Sequence, residues 1–285
     1  MPDIHRIAIL TDSTSDISTD LARELGITIV PFAMRFDHGS FHDGEHVSTV
    51  ELVERMEHST TIPSVSSPSP RAFEEAFLDL AENHDSVVAI LISSRLSSAV
   101  KSATIAGRAV KNHVAVTIVD SLNTSFGLGL QVLRAVDLLH QGASTDRLVG
   151  QLQSEITLNH VVFFVETLEH LRRSGRVGKA SEMLGSFLQL KPVLRIDEGQ
   201  VIPFERARTR ARALETLVEF AQSIPAIDEI AVICTTPAED VEMMIPRLEL
   251  LVDASHIHRV QFGTALTTQI GPGSVGIAIR EKPVA

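Results

Sequence analysis

Tryptophan and tyrosine are absent from the 285 residues, which leaves twelve phenylalanines to supply the large aromatic side chains. Stacking on nucleic-acid bases would fall to Phe or His, and a net charge of −11 repels a phosphate backbone, so no nucleic-acid partner is expected. A single cysteine, Cys234, excludes an intrachain disulfide and a cysteine-rich zinc site, and it suits a reducing compartment. No apolar run approaches the length that spans a bilayer, so no stable membrane insertion is expected. The start of the chain has a charge at Asp3 and too short an apolar stretch for a signal peptide, which points to a cytoplasmic protein.

Several nucleotide and hydrolase motifs are also missing. Gly271-Pro272-Gly273-Ser274-Val275-Gly276 fits G-x-G-x-x-G literally, but a strand pattern follows it and too few residues remain for the acidic ribose partner. Gly127-Leu128-Gly129 follows a strand, yet Val132 stands where the third glycine belongs. No G-x-x-x-x-G-K-[ST] loop and no G-x-S-x-G elbow occurs. His38, His42 and His46, with Asp37 and Asp43, have a helical spacing on a stretch that is not helical, and read as a solvated loop rather than a metal site.

What is present is ordinary in bulk, 44% hydrophobic and 21% charged, with length enough for two domains and a sizeable core. Charge is uneven. Arg172 to Arg212 holds ten basic residues against four acidic ones, leaving −17 for the remainder, and reads either as solvated helix faces or as a basic surface for an acidic partner or phosphate.

Val87–Ala99 organises the first half. Val87 to Ile92 reads as a strand buried on both faces, stopped by Ser93-Ser94 and followed by helix-forming sequence from Leu96 to about Val110. Ligands of open α/β sheets sit at such carboxyl ends, and unpaired N–H groups with hydroxyls beside them favour an anion. Ser93 and Ser94 acting only as helix caps is the competing reading. Arg6–Leu10 and Val114–Val119 are similar strands that run into Thr11–Asp16 and Ser121–Ser125. Ile27–Phe36 reads as one further strand, and Phe36–His46 and Thr60–Pro70 read as loops. Ser48 and Glu51 form a capping box for a helix over Thr49–Glu57, and Ser69-Pro70 opens another.

The first half, residues 1–159, is therefore expected to be α/β with a mostly parallel, helix-covered sheet. The second, 160–285, is expected to be α+β. It contains a strand at Val161–Val165, a helix over Val177–Leu190, and a hairpin of Pro192–Ile196 with Val201–Phe204. A helix over Arg208–Gln222 follows, then a helix capped by Thr236, Pro237 and Glu239 that runs to Leu250. The tail reads as two strands around a glycine loop.

Three hydroxylic loops at strand carboxyl ends, with Ser64–Ser69 beside them, argue for a crevice lined by neutral donors. Such donors suit a buried carboxylate, since each hydrogen bond to a charged acceptor contributes about 1.5–3 kcal/mol. Phe163, Phe164, Met183, Leu184, Phe187 and Leu188 could wall an apolar cavity or simply pack the core.

Together these loops resemble the DegV family of bacterial lipid-binding proteins. The likeness runs through Thr11-Asp12-Ser13-Thr14-Ser15-Asp16, Val30-Pro31-Phe32, Asp43-Gly44, Pro68-Ser69-Pro70, Ile92-Ser93-Ser94-Arg95-Leu96-Ser97, and Ser125-x-Gly127-x-Gly129. It continues through Glu169-His170-Leu171-Arg172-Arg173-Ser174-Gly175-Arg176-Val177-Gly178-Lys179, Leu190-Lys191-Pro192-Val193-Leu194 and Gly271-Pro272-Gly273. The resemblance implies one long-chain fatty acid such as palmitate, held in a tunnel between the two domains, with no other cofactor. It also implies a non-catalytic carrier role as binding subunit of an ATP-dependent fatty acid kinase, feeding phospholipid metabolism.

By the same resemblance the carboxylate falls to Ser97, Ser94 and Ser93 and to the Val65-Ser66-Ser67 loop, while Arg176, Arg208 and Gln269 face the head group and the partner. Two positions depart from the family pattern. Val65 replaces a threonine donor, with Ser66 or Ser67 as substitutes, and Gln269 replaces a histidine. A lipid-binding regulator without a kinase partner, and a serine esterase with a histidine beside Ser94 or Ser97, remain as alternatives.

Overall fold

The computed structural model describes residues 6–36, 39–43, 47–58, 63–183 and 190–283. From the N-terminus the elements are β1 (Ile7–Asp12), α1 (Thr19–Glu24), β2 (Ile27–Val30), β3 (Ala33–Phe36), β4 (Gly39–His42), α2 (Thr49–His58) and β5 (Ser64–Ser66). There follow α3 (Pro70–Ala81), β6 (Ser86–Leu91), α4 (Ala99–Ala109), β7 (Ala115–Asp120), α5 (Ser125–His140) and α6 (Thr145–Glu155). A parallel sheet of order β2-β1-β6-β7 is the frame of this half. All six residues of β6 are buried, as its run of apolar residues requires for a strand covered on both faces.

The stretch expected as one strand, Ile27–Phe36, is two. Pro31 has no N–H to give to a ladder, so β2 ends there and the chain turns into a separate antiparallel sheet of order β4-β3-β5. Parts of both expected loops, Gly39–His42 and Ser64–Ser66, are strands of that small sheet. The capping signals hold: Ser48 Oγ accepts the N–H of Glu51 at 3.2 Å, and Ser69 Oγ that of Ala72 at 3.2 Å, with Pro70 at the first helical position.

The second half runs β8 (Asn159–Phe164), α7 (Glu169–Arg173), β9 (Lys191–Asp197), β10 (Gln200–Ala207), α8 (Arg210–Ser223) and β11 (Ile227–Cys234). It ends with α9 (Glu239–Glu242), α10 (Ile245–Leu248), β12 (Ile257–Gln261), α11 (Thr264–Ile270) and β13 (Val275–Glu281). Its mixed sheet has the order β10-β9-β8-β13-β11-β12, with β11 and β12 its parallel pair.

Three expectations change here. The helix from Thr236 to Leu250 is broken into α9 and α10, because Pro246 cannot donate to the preceding turn, and Ala238 rather than Thr236 stands at its N-cap. Gly178–Met183 is a 3₁₀ turn, and the rest of the helix expected to Leu190 falls on residues 184–189, outside the described residues. Between the two expected tail strands lies a helix, α11, which the sequence reading did not assign; its three threonines weaken the local helix signal.

Helix α5 joins the two sheets. It packs on β1 and β6 on one side and on β8, β11 and β13 on the other, and most of its residues are buried. Two glycines permit this approach. A Cβ on Gly127 would overlap Val161 of β8, and one on Gly129 would lie 2.7 Å from the carbonyl oxygen of Ser15. One apolar core lies around α5 between the sheets and includes Leu10, Val88, Leu128, Phe163 and Ala278. A second lies beneath α8 on the far face of the mixed sheet.

Leu10 is fully buried at the centre of β1. Leu10→Ala is expected to lower the unfolding free energy by about 2–5 kcal/mol, measured by urea denaturation followed by circular dichroism.

Candidate functional site: a serine turn at the strand switch point

The chain order reverses between β1 and β6, since β2 lies on one side of β1 while β6 and β7 lie on the other. In open α/β sheets such a switch point, between the loops that leave the two strands, is where ligands sit. Several of the hydroxyls expected to line it are spent on bracing the loops, while those of Thr11, Ser15 and Thr124 are buried without a partner among the described residues. Asp12 Oδ2 accepts the N–H of Ile92 at 2.9 Å, and its Oδ1 accepts the Thr14 N–H at 3.0 Å and the Thr14 hydroxyl. The Ser93 N–H donates to the carbonyl of Asn123 at 2.8 Å, and the Ser94 N–H to Asp120 Oδ1 at 3.1 Å. Ser125 Oγ closes the ring by donating to Asp16 Oδ2 at 2.5 Å.

Within the turn, three serines have three different environments. Ser93 is fully buried and its hydroxyl donates to the carbonyl of Gly199 in the β9–β10 hairpin at 2.8 Å, so its one proton is already used. Ser93 is a tether between the halves. Ser94 is exposed. Ser97 is 8% exposed; its Oγ accepts the Ala99 N–H at 3.1 Å, capping α4, and lies 2.7 Å from Ser67 Oγ. Two hydroxyls that share one hydrogen bond keep one O–H unspent whichever of them donates, and that proton is free for an acceptor in the crevice.

Ser67 is thus the hydroxyl that the structure brings to Ser97. Ser66 is exposed, and Val65, half-buried opposite Met34 in the β3–β5 ladder, packs against the apolar core on the other side of the strand. Gly199 is a residue that sequence reasoning missed. Its φ of +77° places it in the left-handed region, and a Cβ there would overlap Ser93 Oγ. Asp197-Glu198-Gly199-Gln200 signalled only a turn; the contact with Ser93 crosses between the halves and left no local trace.

Arg176 reaches the turn from the segment after α7. Its Nε donates to the carbonyl of Leu96 at 3.3 Å, and its Nη1 bonds the carbonyl of Ser174. Arg208 is exposed at the end of β10, and Gln269 is half-buried on α11, which packs on α7. Much of the basic window is neutralised. Glu169 pairs with Arg172 and Arg173, Glu166 with Lys191 and Arg210, Asp240 with Arg210, and Glu205 and Glu219 with Arg212. Among the candidate wall residues, Phe163 and Met183 join the core between the sheets, whereas Phe164 faces the α8 core beneath the Arg210 guanidinium. Leu184, Phe187 and Leu188 lie outside the described residues.

Asp43 is not the solvated loop residue expected. It is buried, and its Oδ1 accepts the Thr264 hydroxyl at 2.6 Å and the Ala265 N–H at 3.1 Å, at the start of α11. Asp37, His38 and His46 lie outside the described residues, and no group of three metal-ligating side chains occurs among the described ones. Burial pushes Asp12 up to about 6, against the hydrogen bonds that it accepts, and burial also raises Asp16. Burial holds His170 below the ordinary histidine range.

A parallel sheet with a hydroxyl pair at its switch point, beside a mixed sheet, defines a two-part α/β architecture. The chain belongs to the DegV family: the family model described as "Uncharacterised protein, DegV family" matches residues 6–282. A DegV domain-containing protein of Deinococcus radiodurans is 35% identical over 281 residues, 96% of this chain and 98% of its own. A DegV family protein from Thermus thermophilus, whose structure is named for fatty acid binding, is 31% identical with a TM-score of 0.88, over 97% of this chain and all of its own. DegV of Bacillus subtilis, named a fatty acid binding protein, is 27% identical with a TM-score of 0.86, over 98% of this chain and all of its own.

The Ser93–Gly199 contact is open to a steric test. Gly199→Ala is expected to lose at least about 1 kcal/mol from backbone strain at positive φ and from the clash. Ser93→Ala in the same chain should recover part of the loss, as read from urea midpoints.

Asp12 titrates in the opposite sense to an ion-paired aspartate. The folded state holds its proton more tightly than the unfolded chain, so the stability from this group is full below about pH 4 and is lost as pH rises through about 6. The stability of the wild type relative to Asp12→Asn should therefore grow as pH falls from 7 to about 4. A carboxyl ¹³C midpoint for Asp12 in the ordinary aspartate range would contradict this.

Proposed function

We propose that the protein binds one long-chain fatty acid in an apolar tunnel between its two domains, 1–159 and 160–285, with the carboxylate held at the Ser67–Ser97 pair. The observation that supports this most directly is the unspent O–H of two hydroxyls 2.7 Å apart at the switch point. The backbone around it is fixed by Asp12, Asn123 and Asp120, so the donor is oriented before a ligand arrives. The fatty-acid binding for which the Thermus thermophilus and Bacillus subtilis proteins are named supports the ligand class. Ser94, exposed beside the pair, is a second donor at the mouth, while Ser93 holds the turn in place. Arg176 acts through the Leu96 carbonyl and positions Ser97 rather than neutralising the carboxylate.

The apolar tail supplies most of the affinity, at about 0.8 kcal/mol per buried CH₂. The loss of a threonine donor at Val65 is small beside that, and Ser67 provides a hydroxyl two residues on. A hydrolase would need a histidine on the serine, and no hydrogen bond from a histidine to Ser67, Ser93, Ser94 or Ser97 is present among the described residues. The role that follows is carriage. It extends to presenting the carboxylate to an ATP-dependent fatty acid kinase, with Arg208, exposed and without an ion pair among the described residues, on the partner side. Gln269 in place of histidine favours a second reading, a lipid-binding regulator that meets no kinase. Acyl phosphate formed from bound palmitate when ATP and a kinase subunit are added would distinguish the two.

Gently desalted protein should carry a fatty acid in native mass spectrometry. A single apo mass, unchanged by palmitate or oleate, would count against acyl binding. Ser97→Ala and Ser67→Ala should each weaken acyl binding about tenfold or more, whereas Ser15→Ala, at a buried hydroxyl outside the pair, should not. Equal affinities in a fluorescent fatty-acid displacement assay would remove the site assignment.

A further inference from the structure

A cavity lies away from the serine pair, between the Ser13–Leu21 segment, the start of α2, and the chain from Ile257 to Thr264. It is a cleft of about 800 Å³. Its apolar wall includes Ile17, Val47, Phe126 and Ile257, and its polar floor is Asp16 and Asp43.

The two carboxylates converge on Gly263. Asp16 Oδ1 accepts the Gly263 N–H at 2.9 Å, and Asp43 Oδ1 accepts from Thr264 and Ala265. Asp43 Oδ2 has no partner among the described residues, although the residue is only 7% exposed. The charged groups that act on Asp16 are Asp43 and Asp12, both negative. Arg259, on the cleft wall, is paired with Glu242.

Gly263 itself explains why these oxygens stay open. Its backbone, φ −63° and ψ 166°, is extended and available to any residue, so conformation does not call for glycine. What glycine avoids is crowding of the two carboxyl groups. A Cβ there would lie 3.1 Å from Asp16 Oδ1, 3.3 Å from Asp43 Oδ1 and 3.4 Å from Asp43 Oδ2. Glycine thus leaves three carboxylate oxygens uncovered at the cleft floor, where a Cβ would press on them, and one of them lacks a donor among the described residues.

We propose that this cleft binds a primary alkylammonium ion, its –NH₃⁺ group beside Gly263 against Asp16 and Asp43 and its carbon chain along Phe126, Ile257 and Val47. An ammonium carries three donors, which matches the three oxygens. A bare calcium-type ion takes six or more oxygen ligands, and the cleft is far larger than an ion. The site is separate from the proposed acyl site and does not depend on it.

The test uses the full chain with ¹³C-labelled isoleucine methyls, titrated with n-butylammonium chloride. Saturable shifts at Ile17, Ile29 and Ile257 are expected, and potassium, magnesium or tetramethylammonium chloride, which have no N–H donors, should not reproduce them. Asp43→Asn, which removes the charge, and Gly263→Ala, which covers the carboxylate oxygens and keeps the charge, should each weaken binding at least about tenfold. Gly263→Ala needs shifts of only a few tenths of an ångström, so it tests the site even if Asp43→Asn fails to fold. Ser97→Ala should bind the amine as the wild type does. No saturable shift, shifts equalled by potassium chloride, or affinity unchanged in Gly263→Ala would each overturn the proposal.

Discussion

The Ile92 N–H, at the point where β6 ends and the serine turn begins, donates to the carboxylate of Asp12. That carboxylate is fully buried, and the charged neighbour that acts on it, Asp43, is also negative. It is held by hydrogen bonds alone, from Ile92 and from the backbone and hydroxyl of Thr14. An unpaired buried carboxyl is costly, and the cost is visible as a pKa raised to about 6. In return, the loops leaving β1 and β6 are locked to each other at the switch point, and the positions of Ser93 and Ser97 follow from that lock.

The same economy runs through the hydroxyl-rich loops. Thr14 and Ser125 bond to aspartates, Ser121 to the backbone of Asn123, and Ser93 across to Gly199. Buried polar groups must be satisfied, and loops pressed between two sheets cannot rely on bulk water to do it. The many serines and threonines therefore serve mainly to make a polar crevice tolerable inside the protein. What remains unspent is the pair of Ser67 and Ser97, with Ser94 at its edge, and the buried hydroxyls of Thr11, Ser15 and Thr124, which have no partner among the described residues. A neutral donor of this kind suits a carboxylate that brings its own apolar tail.

The two halves meet through α5 and α11, and both joints rest on side-chain size and capping rather than on charge pairs alone. Gly127 and Gly129 let α5 approach β8 and the loop after β1. Helix α11 is anchored at its start by Asp16, Asp43 and Thr49, the last donating to the carbonyl of Phe262 at 2.8 Å, and its far end carries Gln269 beside α7. One short helix therefore spans from the carboxylate-floored cleft to the neighbourhood of the serine turn.

Local pattern alone determined the parallel strands, the helices opened by Ser48 and by Ser69-Pro70, and the serine turn, because periodicity and caps act within a few residues. The family motifs carried the rest of what was legible. Only the tertiary structure decided the small β4-β3-β5 sheet, whose strands are too short to stand without their partners. It also made α11 a helix, since Asp43 from a distant loop caps a segment of β-branched residues. The choice of Ser67 over Ser66 belongs to the same class. Adjacent hydroxyls are equivalent in sequence, and the register of Val65 against Met34 sends one to solvent while the next reaches Ser97.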